Sequence, residues 1–113
     1  MDAGKSPKRA CCECTALYVP AAPNQLFCNR RCGKAWAHRV TTRGRRLAML
    51  DLAARMTREG TRGSPADRET GKAAANYRNH LISRFVEEDR AAGRTDPVAF
   101  VRKSLAHGWD PLA

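Results

Sequence analysis

The fold of this chain is decided by residues 11–32, CCECTALYVPAAPNQLFCNRRC, which contain all five of its cysteines. Two pairs stand out in this stretch: Cys11 and Cys14 enclose two residues, and Cys28 and Cys32 enclose three. A two-residue gap lets a tight turn direct both thiolates to one point, and cysteines four apart lie on one face of a helix. The spacing therefore predicts that four sulfur atoms converge.

Zinc is the metal that four converging thiolates favour, because its structural sites are tetrahedral and rich in cysteine. We predict one structural Zn²⁺ with the ligands Cys11, Cys14, Cys28 and Cys32. Two alternatives stay open: an iron–sulfur cluster, and burial of the cysteines as small apolar residues. Cys12 competes with Cys11, but a one-residue gap to Cys14 more often points side chains apart, so Cys11 is preferred as the ligand.

The segments around the cysteines predict short strands followed by helices. Residues 15–27 combine β-branched and aromatic side chains with two prolines, which favours turns and a short hairpin rather than a helix. Asn29 is a good N-cap, so a first helix should begin at about this residue and break at Gly44. A second helix is predicted over residues 45–59, whose apolar side chains recur at helical spacing.

The second half of the chain predicts two more helices after a linker at residues 60–64. Ser64 is positioned to cap the third helix, which should end near Gly93, and Asp96 is positioned to cap the fourth. Both helices carry apolar stripes that we expect to form an ordinary helical core. These stripes are Tyr77, Leu81 and Phe85 in the third helix and Val98, Val101 and Leu105 in the fourth.

Beyond the spacing, the run C-x2-C-TALY-V-P followed by NQLFCNRRC resembles the small bacterial treble-clef zinc fingers. Their pattern is C-x2-C-G-x2-F-x-P and then Q-x-F-C-S-x2-C or C-x3-C, with the first pair on a zinc knuckle and the second on the first turn of a helix. The resemblance implies that Cys11 and Cys14 are knuckle ligands and that Cys28 and Cys32 are helix ligands. The stretches HRVTTRGRR and EEDRAAGR resemble small uncharacterised zinc-finger proteins of bacterial and prophage genomes.

The same resemblance implies a core and a fold class. Tyr18 and Phe27 would form a small hydrophobic core, and Thr15 stands where the family usually has glycine. The predicted fold class is a small α-rich α+β protein, in which a treble-clef-like zinc finger precedes a helical region of about three helices. The predicted domains are a disordered basic arm (1–10), a four-cysteine zinc finger with an Arg-rich helix (11–44) and a helical domain (45–113, with the linker near 60–64).

Positive charge is concentrated in the first half of the chain. The formal net charge is +10, and residues 1–62 hold 13 basic and 4 acidic side chains, against 8 and 7 in residues 63–113. Four thiolates around one zinc ion lower the total by two without changing its sign. No acidic side chain lies between Ala16 and Leu50, which matches a nucleic-acid phosphate backbone, with duplex DNA as the expected partner. The predicted phosphate contacts are Arg30, Arg31, Lys34, Arg39, Arg43, Arg45 and Arg46.

Other interpretations of the basic and apolar faces remain at this point. The basic face is either solvated or meets an acidic protein surface, as in an adaptor or inhibitor of phage or prophage origin. The helical region offers a possible homodimer interface. Trp36 is expected to pack over the zinc site rather than stack on a base, and Trp109 is either a core plug or an exposed anchor.

The sequence predicts no enzyme and no membrane protein. It contains no G-x-S-x-G, no phosphate loop and no acid pair beside a histidine, and His38 alone does not make the histidine cluster of a treble-clef nuclease. No apolar run approaches the ~20 residues that cross a bilayer. The start of the chain lacks the apolar stretch of a signal peptide, so we expect a cytoplasmic protein.

Overall fold

The computed structural model describes residues 7–113, so residues 1–6 of the predicted basic arm lie outside the described residues. Strands β1 (Arg9–Ala10) and β2 (Leu17–Tyr18) pair antiparallel, with Arg9 opposite Tyr18. The end of the predicted arm is therefore a strand. The hairpin encloses the first cysteine pair instead of lying between the two pairs, because the prolines that follow β2 cannot continue a ladder.

Helix α1 spans Arg30–Met56 and begins where the sequence predicts. The side-chain Oδ1 of Asn29 accepts a hydrogen bond of 2.9 Å from the backbone N–H of Cys32, which is the expected cap. The predicted break at Gly44 is wrong, because the helix runs through this residue without interruption. A glycine weakens a helix by only about 1 kcal/mol, and it ends one only where it adopts a positive φ, which Gly44 does not.

The two later helices also begin at their predicted caps. Helix α2 spans Pro65–Ala92, and Ser64 Oγ accepts from the Asp67 N–H at 3.1 Å. Helix α3 spans Pro97–Ala106, and Asp96 caps it by accepting from two backbone N–H groups. No helix of the described residues is both long and apolar enough to cross a membrane.

The chain divides into two compact units. The cysteine unit consists of described residues 7–37 together with Glu88–Ala113 and includes the β1–β2 strands. The second unit, His38–Glu87, is a hairpin of two helices, and we call it the hairpin unit. Both long helices contribute residues to both units. The domain boundary that the sequence suggests between residues 44 and 45 remains a prediction, although the helix break that motivated it is absent.

The hairpin unit packs the second part of α1 against α2 through small side chains. Ala54, Ala74 and Ala75 are buried, and Phe85 is the one large side chain of this core. The predicted burial of the apolar stripe of α2 is confirmed for Phe85 and is wrong for Tyr77, whose side chain is 66% exposed. Small residues are buried in its place because they allow the two backbones to approach closely.

The cysteine unit buries Cys11 and Cys12 most deeply, each at 1% exposure. Phe100 is the apolar residue of α3 that packs inward, against Phe27 and Trp36. The predicted core stripe of α3 is therefore wrong, because its residues lie on the side away from Phe100. The exposed apolar side chains of this region are Val98, Val101, Leu105 and, beyond the helix, Trp109 and Leu112.

Candidate metal centre

Four cysteine sulfur atoms converge in the cysteine unit. The Sγ atoms of Cys11, Cys14, Cys28 and Cys32 all lie within 4.8 Å of one another. The Sγ atom of Cys28 is 3.6 Å from that of Cys14 and 3.7 Å from that of Cys32. A tetrahedron with metal–sulfur bonds of about 2.3 Å has sulfur–sulfur edges of about 3.8 Å, so the spacing fits one zinc-sized ion.

The knuckle turn brings Cys11 and Cys14 together. The Cys11 N–H donates to the Ala16 carbonyl at 2.9 Å, and the Thr15 N–H donates to the Cys11 carbonyl at 3.0 Å. These two bonds close the turn between β1 and β2 around the first pair. Thr15 adopts a φ of +68°, the left-handed conformation that the more usual glycine would adopt without strain.

The second pair lies at the start of α1. Cys28 stands two residues before the helix, and Cys32 is in its first turn, held by the Asn29 cap. The Cys28 N–H also donates to the Cys11 Sγ at 3.3 Å, which joins the two pairs directly. A backbone N–H aimed at a sulfur stabilises that sulfur as a thiolate.

Hydrogen bonding and burial shift the pKa values of the clustered thiols in opposite directions. Burial raises the pKa of Cys11, but backbone hydrogen bonds from Cys14, Cys28 and Glu13 outweigh it and lower the pKa to about 6. The hydrogen bond with Cys14 and burial raise the pKa of Cys28, and burial raises the pKa of Cys32 to about 12. One thiolate therefore forms readily and suppresses its neighbours, whereas a divalent ion would stabilise all of them as thiolates.

Cys12 is outside the cluster and serves as scaffold. Its backbone N–H donates to the Leu26 carbonyl at 3.0 Å, and its carbonyl accepts from the Thr95 N–H at 3.2 Å. All five cysteines lie among the described residues, and none forms a disulfide. Cys12 thus connects the knuckle to the segment before Cys28 and to the α2–α3 connection.

An ion-pair network supports the knuckle from the C-terminal segment. The Arg94 guanidinium lies 3.0 Å from the Asp89 carboxylate, which is buried, and 3.9 Å from that of Glu13. Glu13 lies inside the first cysteine pair, so this network positions the turn that carries two of the sulfurs. Sequence reasoning missed the contact with Glu13, because Glu13 and Arg94 are about 80 residues apart along the chain.

Three aromatic rings pack together in the cysteine unit. The ring centroids of Trp36 and Phe100 are 4.5 Å apart and nearly parallel, and Phe27 lies 5.7 Å from Trp36. Trp36 thus packs against two other aromatic rings, and its expected position over the zinc site stays a prediction. Phe27 belongs to this core as expected, whereas Tyr18 donates its hydroxyl to the Gln25 carbonyl.

No protein-family model, curated protein or solved structure matches this chain.

The seven predicted phosphate contacts all lie on α1 but differ in exposure. Arg43 is half-buried, with its guanidinium 4.8 Å from the Phe85 ring centroid and a hydrogen bond to the Phe85 carbonyl. Arg46 lies 5.8 Å from the same centroid, and Arg39 is half-buried with a partner inside the protein. These three arginines repeat at helical spacing, so they share one side of α1. The other four, Arg30, Arg31, Lys34 and Arg45, are exposed, and so is Arg46.

Proposed function

We propose that this protein binds one structural Zn²⁺ through Cys11, Cys14, Cys28 and Cys32. The convergence of the four sulfur atoms carries the proposal, together with a donor set made only of cysteine. When bound, the ion would hold the knuckle against the start of α1. Four protein ligands leave no open position for a substrate, which is typical of structural rather than catalytic zinc. We therefore propose a binding role rather than an enzymatic one.

The proposed fold type is a treble-clef-like zinc finger, as found in small bacterial and prophage proteins. Two features support it: one pair of cysteines lies on the turn of the β1–β2 hairpin, and the other lies at the start of α1. Thr15 takes the left-handed conformation at the position where that family usually has glycine, so the departure in sequence keeps the turn.

For the activity, we propose nucleic-acid binding, with duplex DNA as the preferred target. The observation behind it is that Arg30, Arg31 and Lys34 are exposed on the first turns of α1, beside the ligand Cys32. A zinc-anchored helix end would hold these cations in fixed positions. Fixed cations neutralise phosphates and release counterions, which gives salt-dependent binding without a base code.

A salt titration tests the proposal. For the zinc-loaded protein, the logarithm of affinity for duplex DNA should fall linearly with the logarithm of salt concentration. Changing Arg30, Arg31 and Lys34 together to alanine should weaken binding on every sequence and flatten the slope by about 2.7, or about 0.9 for each lost contact. Fluorescence anisotropy on two unrelated duplexes and on one RNA of equal length measures both effects.

The control is a triple variant with the same loss of charge elsewhere: Arg62, Arg84 and Arg90, all exposed, changed to alanine. It should keep the slope nearly unchanged, and both variants should keep their zinc. Equal slopes for the two variants would show that only net charge matters. No binding to DNA or RNA at low salt would exclude the nucleic-acid function and favour an adaptor that meets an acidic protein.

A further inference from the structure

An exposed apolar seam runs along α1 within the hairpin unit. Met49, Leu52 and Met56 are 72%, 54% and 80% exposed, and we call these three residues the Met–Leu seam. The residues of α1 that pack against α2 lie on the other side, with Ala54 fully buried among them. Three large exposed apolar side chains on one side of a helix indicate a contact surface.

The spacing of the seam selects the shape of its partner. Its residues are separated by three and then four positions, which is the a–d–a repeat of a coiled-coil seam. Such a seam is narrower than the broad apolar face with which a helix lies on a membrane. A seam of this width can pack against the side chains of one further helix. Methionine suits this contact, because its flexible thioether adapts to the partner's side chains.

The charges around the seam select the chemistry of the partner. Exposed cations border it: Arg45, four residues before Met49, continues the line of the seam toward the start of α1, and Arg55 lies beside the seam at the g position before Met56. The nearby carboxylates form ion pairs with Arg78: Glu59 lies 2.8 Å and Asp51 3.9 Å from its guanidinium. Because these acids are already paired, the surface around the seam is positively charged.

We propose that the Met–Leu seam docks one amphipathic helix of a protein partner, with apolar residues at its a and d positions and glutamate or aspartate beside them. The partner's acids would lie against Arg55, as flanking charges do in coiled coils, and against Arg45 at the end of the seam. A second copy of this chain is a poor occupant, because it would bring the same cations against each other. Phosphate groups offer nothing apolar to meet the seam.

The three methionines of the chain allow a direct test. With methyl-¹³C methionine, Met49 and Met56 report on the seam and Met1 serves as the reference. The probe is a synthetic peptide of three heptads with leucine at a and d and glutamate at e and g. We expect the Met49 and Met56 signals to shift on titration while the Met1 signal does not.

Two variants and one control peptide make the test specific. Leu52→Glu should raise the Kd by about tenfold or more, because it places a charge in the contact, and its exposed site should leave the fold intact. Arg55→Glu should weaken binding of the glutamate peptide and restore binding of a peptide with lysine at e and g. Circular dichroism checks that both variants remain folded.

Several results would overturn the proposal. Equal binding of the glutamate and lysine peptides would show that the partner need not be acidic. If neither Met49 nor Met56 shifts, the seam is not the docking surface. Concentration-dependent shifts without peptide, with a dimer by light scattering, would assign the seam to a second copy. Shifts with vesicles of anionic lipid but not with the peptide would assign it to a membrane surface.

Discussion

At the scale of single residues, Thr15 carries backbone strain at the knuckle. A β-branched residue at a φ of +68° is unfavourable, and sparsely populated conformations of this kind cost on the order of 1–3 kcal/mol. The turn persists because two backbone hydrogen bonds close it, one from the Cys11 N–H to the Ala16 carbonyl and one from the Thr15 N–H to the Cys11 carbonyl. The strain thus lies beside two candidate metal ligands.

Replacing Thr15 with glycine should stabilise the protein by about 1 kcal/mol, because glycine adopts a positive φ without strain. Thr15 is exposed, so little packing is lost. Thermal unfolding at a fixed excess of zinc should show a midpoint several degrees higher. Thr15→Ala is the matched control and should gain less, since it keeps a Cβ. A lower midpoint for the glycine variant would mean that the threonine side chain contributes more than its strain removes.

The residues of the site differ in how far sequence predicts them. The spacing of the cysteines predicts the cluster, because metal geometry restricts the gaps within each pair. The preference for Cys11 over Cys12 agrees with the sulfur positions, for the same local reason. Sequence offers no comparable rule for Arg94 beside Glu13 or for Thr95 beside Cys12. These contacts form only when the end of α2 reaches the knuckle.

At the scale of the helices, the starts were predictable and the inward faces were not. Asn29, Ser64 and Asp96 each cap a helix through bonds to residues two or three positions away, which a short stretch of sequence specifies. The buried side of a helix depends on its neighbours. Tyr77 and Val98 belong to regular apolar stripes, yet both are exposed, because the chain packs through small residues and Phe100 instead.

Two glycines of the helices should respond oppositely to alanine. At Gly44, a Cβ would meet nothing within 4 Å, so Gly44→Ala should stabilise the protein by about 1 kcal/mol. At Gly71, a Cβ would lie 2.7 Å from the Cβ of Thr57, so α1 and α2 would have to separate there. Gly71→Ala should therefore destabilise by about 1–3 kcal/mol despite its better helix propensity.

Urea unfolding, monitored by circular dichroism in the far ultraviolet, measures both alanine variants under one set of conditions. The control is the same Gly71→Ala change made in a Thr57→Gly background, because glycine removes the Oγ1, Cβ and Cγ2 atoms of Thr57 that the new Cβ would meet. In that background the Gly71→Ala change should cost less than it does in the parent protein. A stabilising effect of Gly71→Ala alone would show that α1 and α2 do not approach as closely as described.

At the scale of the whole molecule, metal binding should be coupled to protons and to folding. Each ligand must lose its proton to bind zinc, and the pKa values of Cys28 and Cys32 are raised, to about 12 for Cys32. Zinc uptake at neutral pH should therefore release protons from these thiols. The zinc affinity should rise with pH and fall on acidification, because protons compete for the same sulfur atoms.

Cysteine variants separate a ligand from a buried scaffold residue. Cys28→Ser and Cys32→Ser should each reduce zinc below one ion per chain and loosen the cysteine unit, because a structural site needs all four donors. Cys12→Ser should keep one zinc per chain but lower the unfolding midpoint, since it places a hydroxyl at a site only 1% exposed. Metal analysis by mass spectrometry, paired with thermal unfolding, distinguishes the two outcomes.

Loss of zinc in Cys12→Ser together with full retention in Cys11→Ser would show that Cys12 is the ligand. Recovery of iron with a visible charge-transfer absorption would replace the zinc site with a cluster.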